Sequence, residues 1–162
     1  MAARRGFWKP VLIAAAVAIF IAGLGGTLTD TGPWYQGLRK PPWQPPDWLF
    51  GPAWTVIFAL ATVSAVYAWR SAGSRVQRES VIGLFAVNGF LNVLWSILFF
   101  ALRRPDWALI EVVFLWLSIL LPVAVFWRRA RPASLYLLPY LAWVSFAAFL
   151  NFSVVRLNAP FA

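Results

Sequence analysis

The sequence predicts an all-α integral membrane protein, a bundle of five transmembrane helices with a Pro/Trp-rich loop between the first two. Three observations support this: 62% of the 162 residues are hydrophobic, only 12% are charged, and the mean hydropathy is +0.73. A soluble domain of this length cannot bury so much apolar surface, so the surplus must face lipid. Apolar runs of spanning length, about 20 residues, fill the chain, and residues 1–162 are therefore predicted to form one transmembrane domain.

The first predicted helix covers about residues 11–28 and follows a basic N-terminal segment. Its apolar run is longer than that of a signal peptide, so we interpret it as a retained transmembrane helix. Gly23, Gly25 and Gly26 lie near its end. Small residues there predict the close approach of a neighbouring helix.

The next segment, residues 30–51, reads DTGPWYQGLRKPPWQPPDWLFG. Its five prolines exclude a continuous helix, and its Trp and Tyr rings are of the kind that lie at the membrane–water interface. This composition predicts a structured loop at the membrane surface.

Four more helices are predicted, over about residues 52–69, 81–102, 106–127 and 134–155. Pro52 suits the start of the second helix, because its missing N–H would be unpaired there in any case. Arg103, Arg104 and Pro105 indicate a tight connection between the third and fourth helices. Pro122 predicts a kink near the end of the fourth.

The distribution of Lys and Arg predicts the orientation. An odd number of spans puts the two termini on opposite sides, and the side that contains the N-terminus has nine Lys and Arg residues against five on the other. By the positive-inside rule the N-terminus is cytoplasmic, in a bacterial-type cytoplasmic membrane. Because these cations separate apolar runs and do not form one basic face, nucleic acid is not an expected partner. The nine are Arg4, Arg5, Lys9, Arg70, Arg75, Arg78, Arg128, Arg129 and Arg131.

The composition also limits the chemistry. The chain has no Cys and no His, which excludes thiolate nucleophiles, imidazole bases and the commonest metal ligands. With Met1 as the only methionine, a bound haem would lack its usual axial ligands. We therefore expect no metal site, no required cofactor and no conventional enzyme chemistry; any tetrapyrrole would be held by stacking, apolar contact and hydrogen bonds.

Polar residues inside the third helix form one candidate site. Asn88, Asn92 and Ser96 are spaced by four, and Trp95 lies beside them, so the four side chains share roughly one face. Polar groups within spans are costly unless they line an interior or a cavity. Interhelical hydrogen bonding and ligand contact both explain this face.

Two other helices show comparable stripes that combine rings, small residues and polar groups. A stripe of this kind is explained by core packing or lipid contact as well as by a ligand pocket, but three coinciding stripes favour the pocket. The residues are Trp54, Phe58 and Thr62 in the second helix and Trp143, Ala147, Leu150 and Asn151 in the fifth.

Glu111 is the one carboxylate predicted to lie within a span, about one turn inside the fourth helix. A carboxylate at that depth is expected to extend to the headgroups, helped by Arg103 or Arg104. The alternatives are an ion pair at the rim of a pocket and proton coupling in a transporter.

Four motifs in order resemble the TspO/MBR family, the tryptophan-rich sensory proteins related to the mitochondrial translocator protein (peripheral-type benzodiazepine receptor). They are WYQGLRKPPWQPP, AWTVIFALA, the N…N-x-x-W-S…FF pattern of the third helix and PYLAWVSFAAFLN. The resemblance extends from about residue 25 to 158.

The resemblance implies five helices around a pocket capped by the first loop, usually in a homodimer. It implies porphyrins, haem and sterol-like or benzodiazepine-like drugs as ligands, and light-dependent porphyrin breakdown with Trp54 and Trp143 as the matching candidates. Phe152 replaces the tyrosine of the family's sterol motif, which weakens the expectation of sterol binding there. The matching pocket positions are Tyr35, Pro45, Pro46, Trp54, Phe58, Asn88, Asn92, Trp95, Trp143, Ala147 and Leu150.

The leading functional prediction is a membrane receptor or sensor that binds a porphyrin-type tetrapyrrole or another planar hydrophobic ligand. A small transporter of tetrapyrroles or hydrophobic cations, with Glu111 as its coupling carboxylate, is the first alternative. A porphyrin-degrading enzyme and an assembly protein without a ligand are the others.

Overall fold

The structure, a computed structural model, describes residues 5–161, with side chains from Trp8 onward. Arg4, one of the predicted orientation signals, and Met1 lie outside the described residues. The elements are α1 (Arg5–Leu28), the short α2 (Pro33–Gly37), a 3₁₀ turn (Asp47–Leu49), α3 (Phe50–Ser71), α4 (Arg75–Ser96), a π-helical turn (Ile97–Ala101), α5 (Pro105–Trp127) and α6 (Arg131–Asn158).

The all-α membrane fold is confirmed. Over the described residues five helices are long and apolar enough to cross a membrane. They are α1 and α3–α6, and α2 is part of the connecting loop. The third connection, Leu102–Arg104, is as short as predicted, and Arg103 adopts a positive φ of 55° within it.

The predicted start of the third helix, at residue 81, is wrong by six residues. The helix begins at Arg75, where the Ser74 hydroxyl caps it by accepting the Gln77 N–H at 3.2 Å. Arg75 and Glu79 then pair one turn apart at 2.7 Å. Charged residues ended the apolar run but not the helix, because their exposed side chains leave the backbone hydrogen bonds intact. α1 likewise begins at Arg5 instead of residue 11, and the side chain of Lys9 within it is exposed.

The hydrophobic core lies between α3, α5 and α6, and α1 packs on the outside of α3 and α4. Two buried serines join helices of the core: the Ser64 hydroxyl donates to the Ala133 carbonyl, and the Ser134 hydroxyl to the Val123 carbonyl, each at 2.8 Å. Small hydroxyl residues of this kind allow helices to approach closely and hydrogen-bond within a membrane.

The Pro/Trp-rich segment forms the structured loop that the sequence predicts. It contacts α6 at two points. The Trp43 ring stacks on Phe149 with centroids 5.1 Å apart, and the Asn158 side chain bonds the backbone of Arg39 at both its N–H and its carbonyl. The loop is thereby held across one end of the bundle.

Candidate ligand-binding cavity

The loop closes one end of a cavity of about 530 Å³, which we call the loop-side cavity. Its walls come from α1, α3, α4 and the π turn, and α6, and its roof comes from the loop. Eight aromatic side chains line it: Tyr35, Phe50, Trp54, Phe58, Trp95, Phe99, Phe100 and Trp143.

Eight of the eleven pocket positions predicted from the sequence line this one cavity. Residues from the loop and from three separate spans are brought together there. Their placement is a fact of the fold, and their contact with a ligand stays a prediction. The eight are Tyr35, Trp54, Phe58, Asn92, Trp95, Trp143, Ala147 and Leu150.

The other three predicted positions do not line the loop-side cavity. Pro45 and Pro46 shape its roof, since the Pro46 carbonyl accepts the Leu49 N–H at 2.9 Å and so starts the 3₁₀ turn. Asn88 donates to the Ser118 hydroxyl at 2.9 Å and lines a different groove. The predicted Asn88–Ser96 face is divided because successive residues rotate by about 100°, so eight residues accumulate a twist of about 80°.

Trp54 and Trp143 stand next to each other on adjacent walls. Their ring centroids are 6.4 Å apart, and their planes are nearly perpendicular at 87°. Phe58 stacks on Trp54 at 5.4 Å, and Phe50 meets the edge of Trp143 at 5.8 Å. The indole N–H of Trp143 is buried and has no hydrogen-bond partner among the described residues. These contacts fix two electron-rich indoles against the same space.

The sequence does not predict the π turn at the end of α4, which contains the FF pair of the third motif. A π turn contains one extra residue per turn and re-aims the side chains that follow. Here Phe99 stacks on Trp95 at 5.0 Å and 27°, and Phe100 meets the edge of the same indole at 6.0 Å. The turn thus adds two phenylalanines to the wall that Trp95 begins.

The roof is tied together by Asp47, which sequence reasoning missed. Its carboxylate accepts the Tyr35 hydroxyl at 3.1 Å and the Gln44 amide at 3.1 Å. Lys40 lies 3.7 Å from the same carboxylate and 3.7 Å above the Tyr35 ring. Burial, and then the charge of Asp47, raise the pKa of Tyr35 to about 12. An aspartate placed directly between two prolines and Trp48 was the available signal.

The glycines at the end of α1 have a different role from the one predicted. Gly25 and Gly26 line the cavity, and a Cβ atom added to either would meet nothing within 4 Å. They therefore leave space open and do not bring a helix close. Close helix approach occurs instead at Gly89 of α4, where an added Cβ would collide with the end of the Ile21 side chain.

Glu111 does not extend to the headgroups, and that prediction is wrong. Its side chain is buried, at 6% exposure, and neither carboxyl oxygen has a hydrogen-bond partner among the described residues. Neither expected arginine reaches it: Arg104 binds Asp106, with Nε 2.8 Å from the carboxylate, and the Arg103 guanidinium carbon lies 5.9 Å from the centroid of the Trp34 ring. Asp106 is only two residues from Arg104 in the chain, so its carboxylate is the nearer partner for the guanidinium.

The lining groups define what the cavity can hold. Among the described residues no three His, Cys, Asp or Glu side chains come together as metal ligands would. The cavity instead offers ring faces together with a polar rim from Thr29, Thr31, Gln44 and Asp47. Such a site suits a flat, largely apolar molecule with a polar edge.

Comparison with known proteins gives a consistent result. The model of the TspO/MBR family matches residues 11–157. The chain is 38% identical to the tryptophan-rich protein TspO of Chlorobaculum tepidum over 90% of this chain and 92% of the other. It is 35% identical to the translocator protein of Sus scrofa over 92% of each chain. It is 33% identical to the tryptophan-rich sensory protein of Cereibacter sphaeroides over 86% of this chain and 89% of the other.

Proposed function

This chain belongs to the TspO/MBR family of membrane proteins, and from that premise we propose that it is a receptor for a porphyrin-type tetrapyrrole, which it binds in the loop-side cavity. The ligand class is inferred from the shape and chemistry of that cavity. The proposed activity is ligand binding. Light-driven breakdown of the pigment would be secondary and would depend on its contact with the indoles of Trp54 and Trp143.

The convergence of Trp54, Trp95 and Trp143 on one space carries this proposal. Each indole comes from a different span, and each lies against another aromatic ring that fixes its orientation. Ala147 sits one turn after Trp143 and leaves room beside it. A planar conjugated ligand would gain ring contacts on several sides, and aromatic pairs contribute about 0.5–1.5 kcal/mol each beyond area burial.

The polar rim supports a ligand with acidic groups at one edge. Thr29, Thr31 and Gln44 lie at the roof. The Thr29 hydroxyl donates to the Gly25 carbonyl at 2.7 Å, and the Gln44 amide donates to Asp47 and Tyr35 at 3.1 and 3.2 Å, so a ligand carboxylate would draw first on the Thr31 hydroxyl. Lys40 is already paired with Asp47 at 3.7 Å, so recognition there would be by hydrogen bonds from neutral groups. Deeper in the cavity lies Asn92, whose amide nitrogen donates to the Tyr140 hydroxyl at 3.2 Å, so a ligand would meet its amide oxygen as an acceptor.

Titration of detergent-purified protein with protoporphyrin IX, followed by tryptophan quenching, tests the proposal. We expect saturable binding in the micromolar range, about −8 kcal/mol. Ala147→Phe fills the cavity and should weaken binding by about tenfold or more, since overfilling a packed site costs about 1–3 kcal/mol. Ala142→Phe is the matched control, because Ala142 is exposed on the same helix and should leave binding unchanged.

Non-saturable quenching that is equal in all three proteins would contradict the proposal. It would mean that the pigment partitions into the micelle and touches tryptophans outside the cavity. Binding that both Phe variants weaken equally would point to a general loss of fold.

A second candidate, proton-coupled transport of a hydrophobic ligand, is favoured by the buried and unpartnered carboxyl of Glu111. Ionisable groups inside spans often mark ion pathways. Flux in proteoliposomes that depends on a proton gradient and is lost in Glu111→Gln would support transport. Ligand binding without flux would count against it. Homodimer formation and a cytoplasmic N-terminus stay predictions, open to mass measurement and to labelling of the termini.

A further inference from the structure

A second, separate groove lies in the opposite half of the bundle, between α1, α3 and α4. Its volume is about 340 Å³, and we call it the α1/α3/α4 groove. It runs from Pro10 to Ile21 on α1, from Trp69 back to Phe58 on α3, and from Val81 to Gly89 on α4. Of the residues that the structure describes, Phe58 alone lines both this groove and the loop-side cavity.

The walls of this groove suit a hydrocarbon chain. Its lining is almost entirely aliphatic and aromatic, and the polar side chains on it are already bonded. Thr62 donates to the Phe58 carbonyl at 2.8 Å, and Asn88 donates to Ser118 at 2.9 Å. Ile13 and Ile82 stand at its edge with more than half of their surface exposed, so the groove opens sideways toward the bilayer.

The length of the groove matches one leaflet. A helix rises about 1.5 Å per residue, so the lining extends about 16 Å along the axes of α1 and α3, and about 12 Å along that of α4. Half of a bilayer's hydrocarbon core is about 15 Å. An acyl chain that enters from one leaflet would therefore end near Gly89, where α1 and α4 close on each other.

The end of the groove that lies at Pro10, Trp69 and Val81 is strongly basic. Lys9 precedes Pro10, Arg70 follows Trp69, and the Arg78 guanidinium carbon lies 5.6 Å from the centroid of the Trp69 ring. Glu79, the acidic residue nearest to this end in sequence, is held by Arg75 at 2.7 Å. Positive charge thus surrounds the point where the headgroup of a chain in the groove would lie.

We propose that the α1/α3/α4 groove is a binding site for one acyl chain of an anionic phospholipid, whose negatively charged headgroup phosphate is held by Arg78 and Lys9. The apolar walls supply the affinity for the chain. The basic rim supplies the preference for an anionic headgroup, and a Lys or Arg near the membrane surface strengthens such binding about fivefold, the equivalent of about 1 kcal/mol. This site does not depend on the ligand of the loop-side cavity.

Native mass spectrometry in mild detergent tests the proposal, with dioleoyl phosphatidylglycerol and dioleoyl phosphatidylcholine in equal amounts. Wild-type protein should retain phosphatidylglycerol in at least about fivefold preference. Arg78→Gln should lower that preference about fivefold, whereas Arg129→Gln, exposed at the same end but outside the groove, should not. Ala86→Phe, which fills the groove, should remove both lipids, and Ala124→Phe, on an exposed face of α5, should remove neither.

Equal retention of the two lipids by wild-type protein would overturn the proposal, as would an equal effect of Arg78→Gln and Arg129→Gln. The spectra also report the oligomeric state. If Ala86→Phe dissociates a dimer and leaves the bound lipid unchanged, a second copy of the chain covers the groove and the lipid assignment is wrong.

Discussion

The side chain of Asn158 holds the backbone of Arg39 at two atoms, although 119 residues separate the two positions. Its Oδ1 accepts the Arg39 N–H, and its Nδ2 donates to the Arg39 carbonyl, each at 2.8 Å. The same amide also donates to the Val154 carbonyl in its own helix. The last turn of α6 therefore fixes the middle of the loop that roofs the loop-side cavity.

Removing this link should loosen the roof. In Asn158→Ala both bonds to Arg39 are lost, each worth about 1 kcal/mol, so the Arg39 amide should exchange its hydrogen at least about tenfold faster. Asn158→Asp keeps the acceptor for the Arg39 N–H, so the exchange rate of the Arg39 amide should lie between those of wild type and Asn158→Ala. Hydrogen exchange measured by mass spectrometry checks this, and unchanged exchange in Asn158→Ala would show that the Trp43–Phe149 contact holds the loop alone.

Asn92 and Asn88 should behave differently toward the porphyrin. Asn92 lines the loop-side cavity and holds the Tyr140 hydroxyl at 3.2 Å, which leaves its amide oxygen for a ligand. Asn92→Leu removes that acceptor and should raise the Kd for protoporphyrin IX about fivefold, the value of one hydrogen bond. Asn88 bonds Ser118 and faces the other groove, so Asn88→Leu should leave the Kd unchanged. Quenching titrations of both variants decide the matter, and equal weakening would contradict the division of this face.

Trp143 should be needed for any light-driven porphyrin breakdown. Its indole is on the cavity wall beside Trp54. An excited pigment in the cavity would therefore be in contact with an oxidisable ring. Wild-type protein under illumination should consume protoporphyrin faster than free solution does, and Trp143→Phe should abolish that excess. Trp127→Phe, half-exposed at the far end of α5, is the control. Equal rates in wild type and Trp143→Phe would end this hypothesis.

The Tyr35–Asp47 contact should make the roof sensitive to alkaline pH. The pKa of Tyr35 is raised to about 12 from 10.0, so the folded state favours the neutral phenol. The stability that this contributes is fully present below about pH 10 and is lost as the pH rises toward 12. Asp47→Asn removes the negative charge, so tyrosinate absorbance should show a lower pKa for Tyr35.

Two further variants complete that titration. Tyr35→Phe identifies which of the four tyrosines gives the late transition. Asp30→Asn changes an acidic residue on the same side of the bundle and should leave the transition where it is. A late transition that persists unchanged in Asp47→Asn would assign the shift to burial alone.

Asn151 should be important for stability more than for binding. Oriented to satisfy both of its hydrogen bonds, its amide donates to the Pro105 carbonyl at 3.0 Å and accepts the Leu109 N–H at 3.1 Å. Asn151→Leu leaves these buried groups without that partner, so the free energy of unfolding should fall by about 1–3 kcal/mol. Ser153→Ala, whose hydroxyl bonds only its own helix, should cost less. Denaturation in detergent measures the difference, and equal losses would contradict the bridge.

Much of this protein is determined by its sequence alone. Long apolar runs separated by Arg clusters predict five spans, because lipid requires each backbone polar group to be paired within a helix. The prolines of residues 33–46 predict a loop for an equally local reason. The four family motifs are sequence patterns too, and the family that they indicated is confirmed.

What only the tertiary structure decided depends on how helices rotate and where side chains find partners. Spacing put Asn88 with Asn92, but the twist of about 40° over these four residues and the bond from Asn88 to Ser118 place them in different cavities. Glu111 was expected to reach an arginine, but Asp106 lies nearer to Arg104 and takes it. The Asn158–Arg39 link joins residues that are 119 positions apart, and the Asp47 network joins residues of one irregular loop. No periodic pattern encodes either set of contacts. They exist because the packed bundle brings the end of α6 under the loop.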